Sequence, residues 1–203
     1  FTYRPGQDHR LPYDPNAPIA EQVTQSFEKS LEHLGVERID SLVLHGPWNQ
    51  GKISRQDREA WSAMEQLIRE ERVRFLGLSN CSLEQLEVLW DFAHVKPSVV
   101  QNRCFASMGW DLRVRSFCAL HGLAYQGFSL LTANRDEGDH YVVHRIAKRE
   151  ACTPAQVILK FAQDIGMTVL TGTTSREHMQ HDLDLARVQL LSAELEALRG
   201  LFV

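Results

Sequence analysis

The chain has 203 residues, 22 Lys+Arg against 26 Asp+Glu, a formal net charge of -4 and 43% hydrophobic residues. That is the make-up of an ordinary globular protein, long enough to bury a substantial core as one domain or at most two. The mild acidity and the lack of any Lys/Arg block argue against nucleic acid or an anionic membrane surface as partner. No apolar run reaches the ~18 residues of a membrane-spanning helix, so no membrane association is expected. Cys81, Cys104, Cys118 and Cys152 are widely spaced and form no C-x-x-C pair. That pattern fits a reducing compartment, and a cytoplasmic location is expected. The chain opens at Phe1, without an initiator Met or a signal-like segment, and further residues are expected upstream.

Along the chain, segments of helical period alternate with short, continuous apolar runs. Ile19, Val23, Phe27, Leu31 and Leu34 share one stripe over residues 17–34, with Pro18 suited to the first turn. "IDSLVLHGP" (39–47) reads as a buried strand. Ser54 then precedes a helix carrying Trp61, Met64, Leu67 and Ile68, and "VRFLGLSN" (73–80) is the second strand. "SLEQ" (82–85) has capping-box form and leads into Leu86, Leu89 and Phe92. "PSVVQNRC" (97–104) is the third strand, followed by a helix over 110–121 with Leu112, Phe117 and Leu120 on its apolar side. "LAYQGFSL" (123–130) is the fourth. An extra helix over 139–150 comes before "TPAQ" (153–156), which combines N-cap, first-turn Pro and third-position Gln ahead of Val157, Ile158 and Phe161. The fifth strand is "MTVLTGTTS" (167–175), and "SAELEALRG" (192–200) is a last short helix.

Strand–helix alternation implies an α/β fold with a parallel sheet. The expected architecture is a (β/α)8 barrel, present as an incomplete barrel of about five βα units plus extra helices, with residues 1–203 forming one domain. A doubly wound open sheet is the alternative, but the G-x-G-x-x-G turn of a dinucleotide-binding sheet is absent. An incomplete barrel leaves two open sheet edges, which a homodimer would cover.

In α/β barrels the chemistry sits at the C-terminal strand ends. Here those ends carry His45; Ser79 and Asn80; Gln101 and Asn102; Ser129; and Thr171, Thr173, Thr174 and Ser175. "TGTTS" before a helix offers hydroxyls and free N–H groups that suit a phosphate, and equally suit a plain helix cap. His45 directly follows "LVL". Its imidazole is either the acid, base or carbonyl polariser of the site or a partly buried structural group. His140 with His144, and His178 with His181 and Asp182, lack the third ligand and glutamate of an H-E-x-x-H site, and no metal is expected.

Four strings resemble the aldo-keto reductase superfamily. "RIDSLVLHGP" is similar to the strand bearing the family's catalytic histidine ("D-x-x-x-I-H-x-P"), which places that role on His45. "RFLGLSNCS" resembles "GVSNF", whose Ser and Asn bind the nicotinamide carboxamide, here Ser79 and Asn80. "PSVVQNRCF" resembles "P-x-V-N-Q-x-E", giving Gln101 a share in that carboxamide. "HGLAYQGFSLL" is similar to "HGI-x-x-x-AYSPL", which implies ring stacking by Phe128 and pyrophosphate contacts by Ser129 and Leu131. The resemblance runs from about Pro18 to Leu198. It assigns Thr173, Thr174, Ser175, His178 and Asp182 to the cofactor's phosphate end.

The resemblance implies hydride transfer between NADP(H) or NAD(H) and a small aldehyde or ketone, with His45 orienting the carbonyl. Two departures matter. The family's Asp, Tyr and Lys lie on earlier βα units, and "FTYRPGQDHRLPYDP" (1–15) resembles the loop after the strand that bears the Lys. The family's "P-K-S-x-x-x-x-R-x-x-x-N" clamp reads Thr171, Gly172, Thr173, His178 and Asp182 here, which leaves the choice between NADPH and NADH open. The alternative functions are a cofactor-independent lyase, isomerase or dehydratase using His45 as acid/base, and a non-catalytic nucleotide-binding pseudoenzyme.

Overall fold

The computed structural model describes residues 1–3 and 11–202. Within the segment 1–15 that resembles a post-strand loop, residues 4–10 lie outside the described residues. The chain divides into two compact units, Phe1–Gln101 with His121–Leu123, and Asn102–Leu120 with Ala124–Val203.

In the first unit, α1 (Ile19–Leu34) follows Pro18 and stops at Gly35, whose φ of 65° lets its N–H reach the Leu31 and Glu32 carbonyls. Val23, Phe27 and Leu31 are buried as their stripe requires, whereas Leu34 at the helix end is 63% exposed. Next come β1 (Ile39–Leu44), α2 (Arg55–Arg69), β2 (Val73–Ser79), α3 (Leu83–Phe92) and β3 (Val99–Arg103). β1 runs parallel to β2 with Ile39 opposite Val73 and Leu44 opposite Leu78. β2 runs parallel to β3 with Gly77 opposite Val99 and Ser79 opposite Gln101. Gly77 is required by closeness: a Cβ there would lie 3.0 Å from both Val43 Cγ2 and the Val99 carbonyl oxygen. Both α2 and α3 begin with capping boxes, Ser54 with Asp57 and Ser82 with Gln85. Asp57 also accepts from the Tyr3 hydroxyl at 2.9 Å and the Trp48 N–H at 2.8 Å, so one buried carboxylate ties three segments together.

The second unit holds a 3₁₀ turn (Ala106–Asp111), α4 (Leu112–His121), β4 (Ala124–Phe128), α5 (Arg135–Gly138), α6 (Tyr141–Glu150) and α7 (Pro154–Asp164). These are followed by β5 (Thr168–Val169), α8 (Arg176–Leu183) and α9 (Ser192–Arg199). β4 and β5 are parallel, with Gln126 opposite Thr168 and Gly127 opposite Val169. On the other side of β4, the Cys104 N–H donates to the Phe128 carbonyl at 3.2 Å. α7 carries the expected capping box of Thr153 and Gln156 with Pro154 in the first turn.

Two expectations need correction here. The fifth strand pairs over only two residues, because the chain leaves β4 once the Leu170 N–H has bonded the Gly127 carbonyl at 2.9 Å. The apolar side of α4 is Val114 and Cys118, while Leu112 and Leu120 are 59% and 80% exposed. The cause lies just upstream. Gly109, Trp110 and Asp111 have φ of 67°, 57° and 54°, and this left-handed run turns Trp110 inward onto Phe161, ring centroids 5.0 Å apart. Among the described residues no helix is long and apolar enough to cross a membrane.

Candidate functional site

In the first unit, the ends of β1, β2 and β3 are pinned to one another just where the polar residues lie. Asn80 takes a φ of 51°, a left-handed conformation that asparagine tolerates better than most residues. Its backbone N–H donates to the Gln101 carbonyl at 3.1 Å, and its side-chain amide donates to the His45 carbonyl at 2.7 Å and to Ser79 Oγ at 3.1 Å. The Ser79 hydroxyl donates in turn to the Gln101 carbonyl at 2.6 Å and is almost wholly buried. The structure thus brings His45, Ser79, Asn80 and Gln101 together. The His45 N–H is itself committed, at 2.8 Å from the Phe1 carbonyl, while its side chain is exposed. Ser79 is occupied on both sides by protein groups. The amide side chains that this rim presents are therefore those of exposed Asn80 and half-buried Gln101.

The corresponding feature of the second unit is a cavity of about 400 Å³ beyond the end of β4. Phe128, Ser129 and Leu131 line it together with Leu159, Leu170, Thr171 and Gly172. Ser129 has a φ of 56°, and its carbonyl accepts the Ala133 N–H at 2.8 Å, so the strand end curls back at once. Behind this loop sits Asn134, 1% exposed. It accepts from the Ala106 N–H at 2.6 Å and donates to the carbonyls of Cys104 at 3.0 Å and Leu130 at 2.7 Å. This clamp leaves little mark on the sequence. An asparagine three positions beyond Leu131 in an otherwise apolar and hydroxyl-rich run was its only trace.

The hydroxyl run after β5 divides its work. Thr173 Oγ1 accepts from the Ser175 N–H at 3.1 Å, and Ser175 Oγ accepts from the His178 N–H at 3.3 Å, which makes Ser175 the N-cap of α8. Thr171 instead donates to Asp182 Oδ2 at 2.9 Å. Thr171 and Gly172 lie at the cavity, whereas Thr173, Thr174, Ser175, His178 and Asp182 lie along the following turn and α8. The rings of His178 and His181 stack at 6.5 Å.

Burial makes the Cys104 and Cys118 thiols poor nucleophiles. The Cys104 and Cys118 thiols are both pushed up to about 12, mainly by desolvation and then by the Asp111 carboxylate. Cys152 is raised as well, by burial and by Glu150. Among the described residues no three His, Cys, Asp or Glu side chains are grouped to hold a metal ion.

The sequence comparisons give this geometry its context. A D-galacturonate reductase of Fragaria ananassa is 30% identical over 198 residues, covering 88% of this chain and 61% of that protein. The chain accordingly spans about three fifths of the length of such relatives. An aldo/keto reductase from Brucella melitensis superposes with a TM-score of 0.79 at 24% identity, over 89% of this chain and 67% of that one. A solved aldo-keto reductase complexed with NADPH superposes at 0.80 with 19% identity, over 90% of this chain and 60% of that one. These superpositions carry the barrel architecture of the α/β fold. The Aldo/keto reductase family profile matches residues 16–202, nearly the whole sequence, and the chain belongs to the aldo/keto reductase family.

Proposed function

We propose that this chain carries the cofactor-binding and carbonyl-orienting part of a reductase that interconverts small aldehydes or ketones and their alcohols with NADP(H) or NAD(H). The observation that carries the reading is the rim of the first unit, where left-handed Asn80 bonds the main-chain carbonyls of His45 and Gln101 and so holds together the strand ends that bear an exposed histidine and two amide residues. Amide side chains suit a nicotinamide carboxamide: Asn80, with both its N–H groups bonded within the rim, brings its Oδ1 as an acceptor, and the Gln101 amide contains both a donor and an acceptor group. In the second unit, Phe128 lines a cavity together with leucines, the hydroxyl residues Ser129, Thr132 and Thr171, and Gly172, a mixture that suits a flat ring followed by a diphosphate. The bound dinucleotide would supply the hydride. The protein's own contribution is placement: Ser79, Asn80 and Gln101 on the carboxamide side, Phe128, Ser129 and Leu131 along the ring and diphosphate, and Thr173, Thr174, Ser175, His178 and Asp182 at the phosphate end. His45 holds the substrate carbonyl by a hydrogen bond and so polarises it. Residues 1–203 act in this reading as part of one barrel domain, and the free thiols fit a cytoplasmic setting.

Titration of the full chain with NADPH and NADH, followed by nicotinamide fluorescence, tests the reading. Saturable binding of at least one is expected, and no binding of either overturns it. His45→Ala should leave that binding intact while lowering carbonyl turnover about 100-fold.

A further inference from the structure

We infer that the cavity of the second unit selects NADH over NADPH, with Asp182 as the specificity-determining residue. The inference rests on the dinucleotide reading above. Its observation is the Thr171–Asp182 pair. Thr171 is one of the residues that line the cavity, and it spends its one proton on Asp182 Oδ2 at 2.9 Å. That bond holds a carboxylate of α8 against Thr171, one residue removed from the cavity lining, with its second oxygen a further acceptor. No Lys or Arg is among the residues that line this cavity.

A ligand that emerges past Thr171 therefore meets negative charge and acceptor oxygens. Ribose hydroxyls are donors and satisfy a carboxylate, whereas a 2′-phosphate offers only acceptors and carries like charge. Arg176 is the nearest arginine along α8. At 100° per residue it sits a third of a turn around the helix from Asp182, on a different face. Gly172 adds room: a Cβ built there meets nothing within 4 Å, so a longer side chain at the mouth has space.

The test compares dissociation constants of NADH and NADPH for the full chain at pH 8, read by fluorescence titration rather than turnover. NADH should bind about tenfold more tightly, the value of one charge-assisted hydrogen bond. Asp182→Asn should bring the two constants together by weakening NADH and relieving the repulsion of NADPH. Gly172→Lys should tighten NADPH about fivefold and leave NADH almost unchanged. Thermal melts of each variant check that it is folded. Equal or tighter binding of NADPH by the unaltered chain overturns the inference while leaving the dinucleotide reading standing. Binding of neither removes that reading and the selectivity with it.

Discussion

The two units solve the same local problem, how to end a parallel strand and expose polar groups, in different ways. In the first, the rim is locked mainly by side chains bonded back to the strand ends: Asn80, Ser79, Gln101 and His45 share four hydrogen bonds across the ends of three strands. In the second, the polar groups ride on a turn and on α8, a helix with no buried residue. A rim built into the strand ends holds its groups at fixed positions, which orientation of a reacting carbonyl demands. A turn and helix that bury little can change side chains at low cost to the fold. The departures from the clamp motif that the sequence resembles fall on just that segment, at Gly172, His178 and Asp182.

This contrast can be broken at Asn134, a place where the second unit is also locked. Asn134→Ala strands the Ala106 N–H and the carbonyls of Cys104 and Leu130 in the interior and should cost about 3 kcal/mol, read from the urea midpoint. An unchanged midpoint would mean that the cavity loop needs no buried clamp.

The locked rim comes next. Asn80→Ala places an alanine at a φ of 51° and removes two side-chain bonds, for an expected loss of about 2 kcal/mol. Asn80→Gly should recover part of that loss, because glycine accepts the conformation freely. If glycine fares no better than alanine, the backbone conformation is not what holds this rim.

Ser175→Ala should have the smallest effect. It removes the α8 cap, worth about 1 kcal/mol to that helix. Faster amide exchange is expected within α8, with little movement of the global midpoint. A global loss as large as that of Asn80→Ala would erase the difference between the two rims.

Much of the architecture was legible from residue order. The boxes at Ser82–Gln85 and Thr153–Gln156 were read directly, since each is closed by partners three residues apart. The polar strand ends at His45, Ser79, Asn80 and Gln101 were legible too, because a strand that emerges from the core must change composition abruptly. The burial of α4 was not. Leu112 and Leu120 fit a helical stripe as well as Val114 and Cys118 do, and the choice was made by the left-handed residues 109–111 just upstream. The short β5 was hidden as well, since its apolar run continues past the point where the partner strand ends.

The alternation of elements, their caps and the family motifs follow from local chemistry, because hydrogen bonds three or four residues apart and a repeating apolar period need no distant partner. Which side chain faces what was decided by folding. The Asn80 amide on the His45 carbonyl spans 35 residues, the Asn134 amide on Cys104 spans 30, and the Thr171 hydroxyl on Asp182 spans 11. Contacts at such separations depend on the path of the backbone between them. Whether Asp182 is one more surface acid or a charge held against a cavity-lining residue is therefore a property of the folded chain.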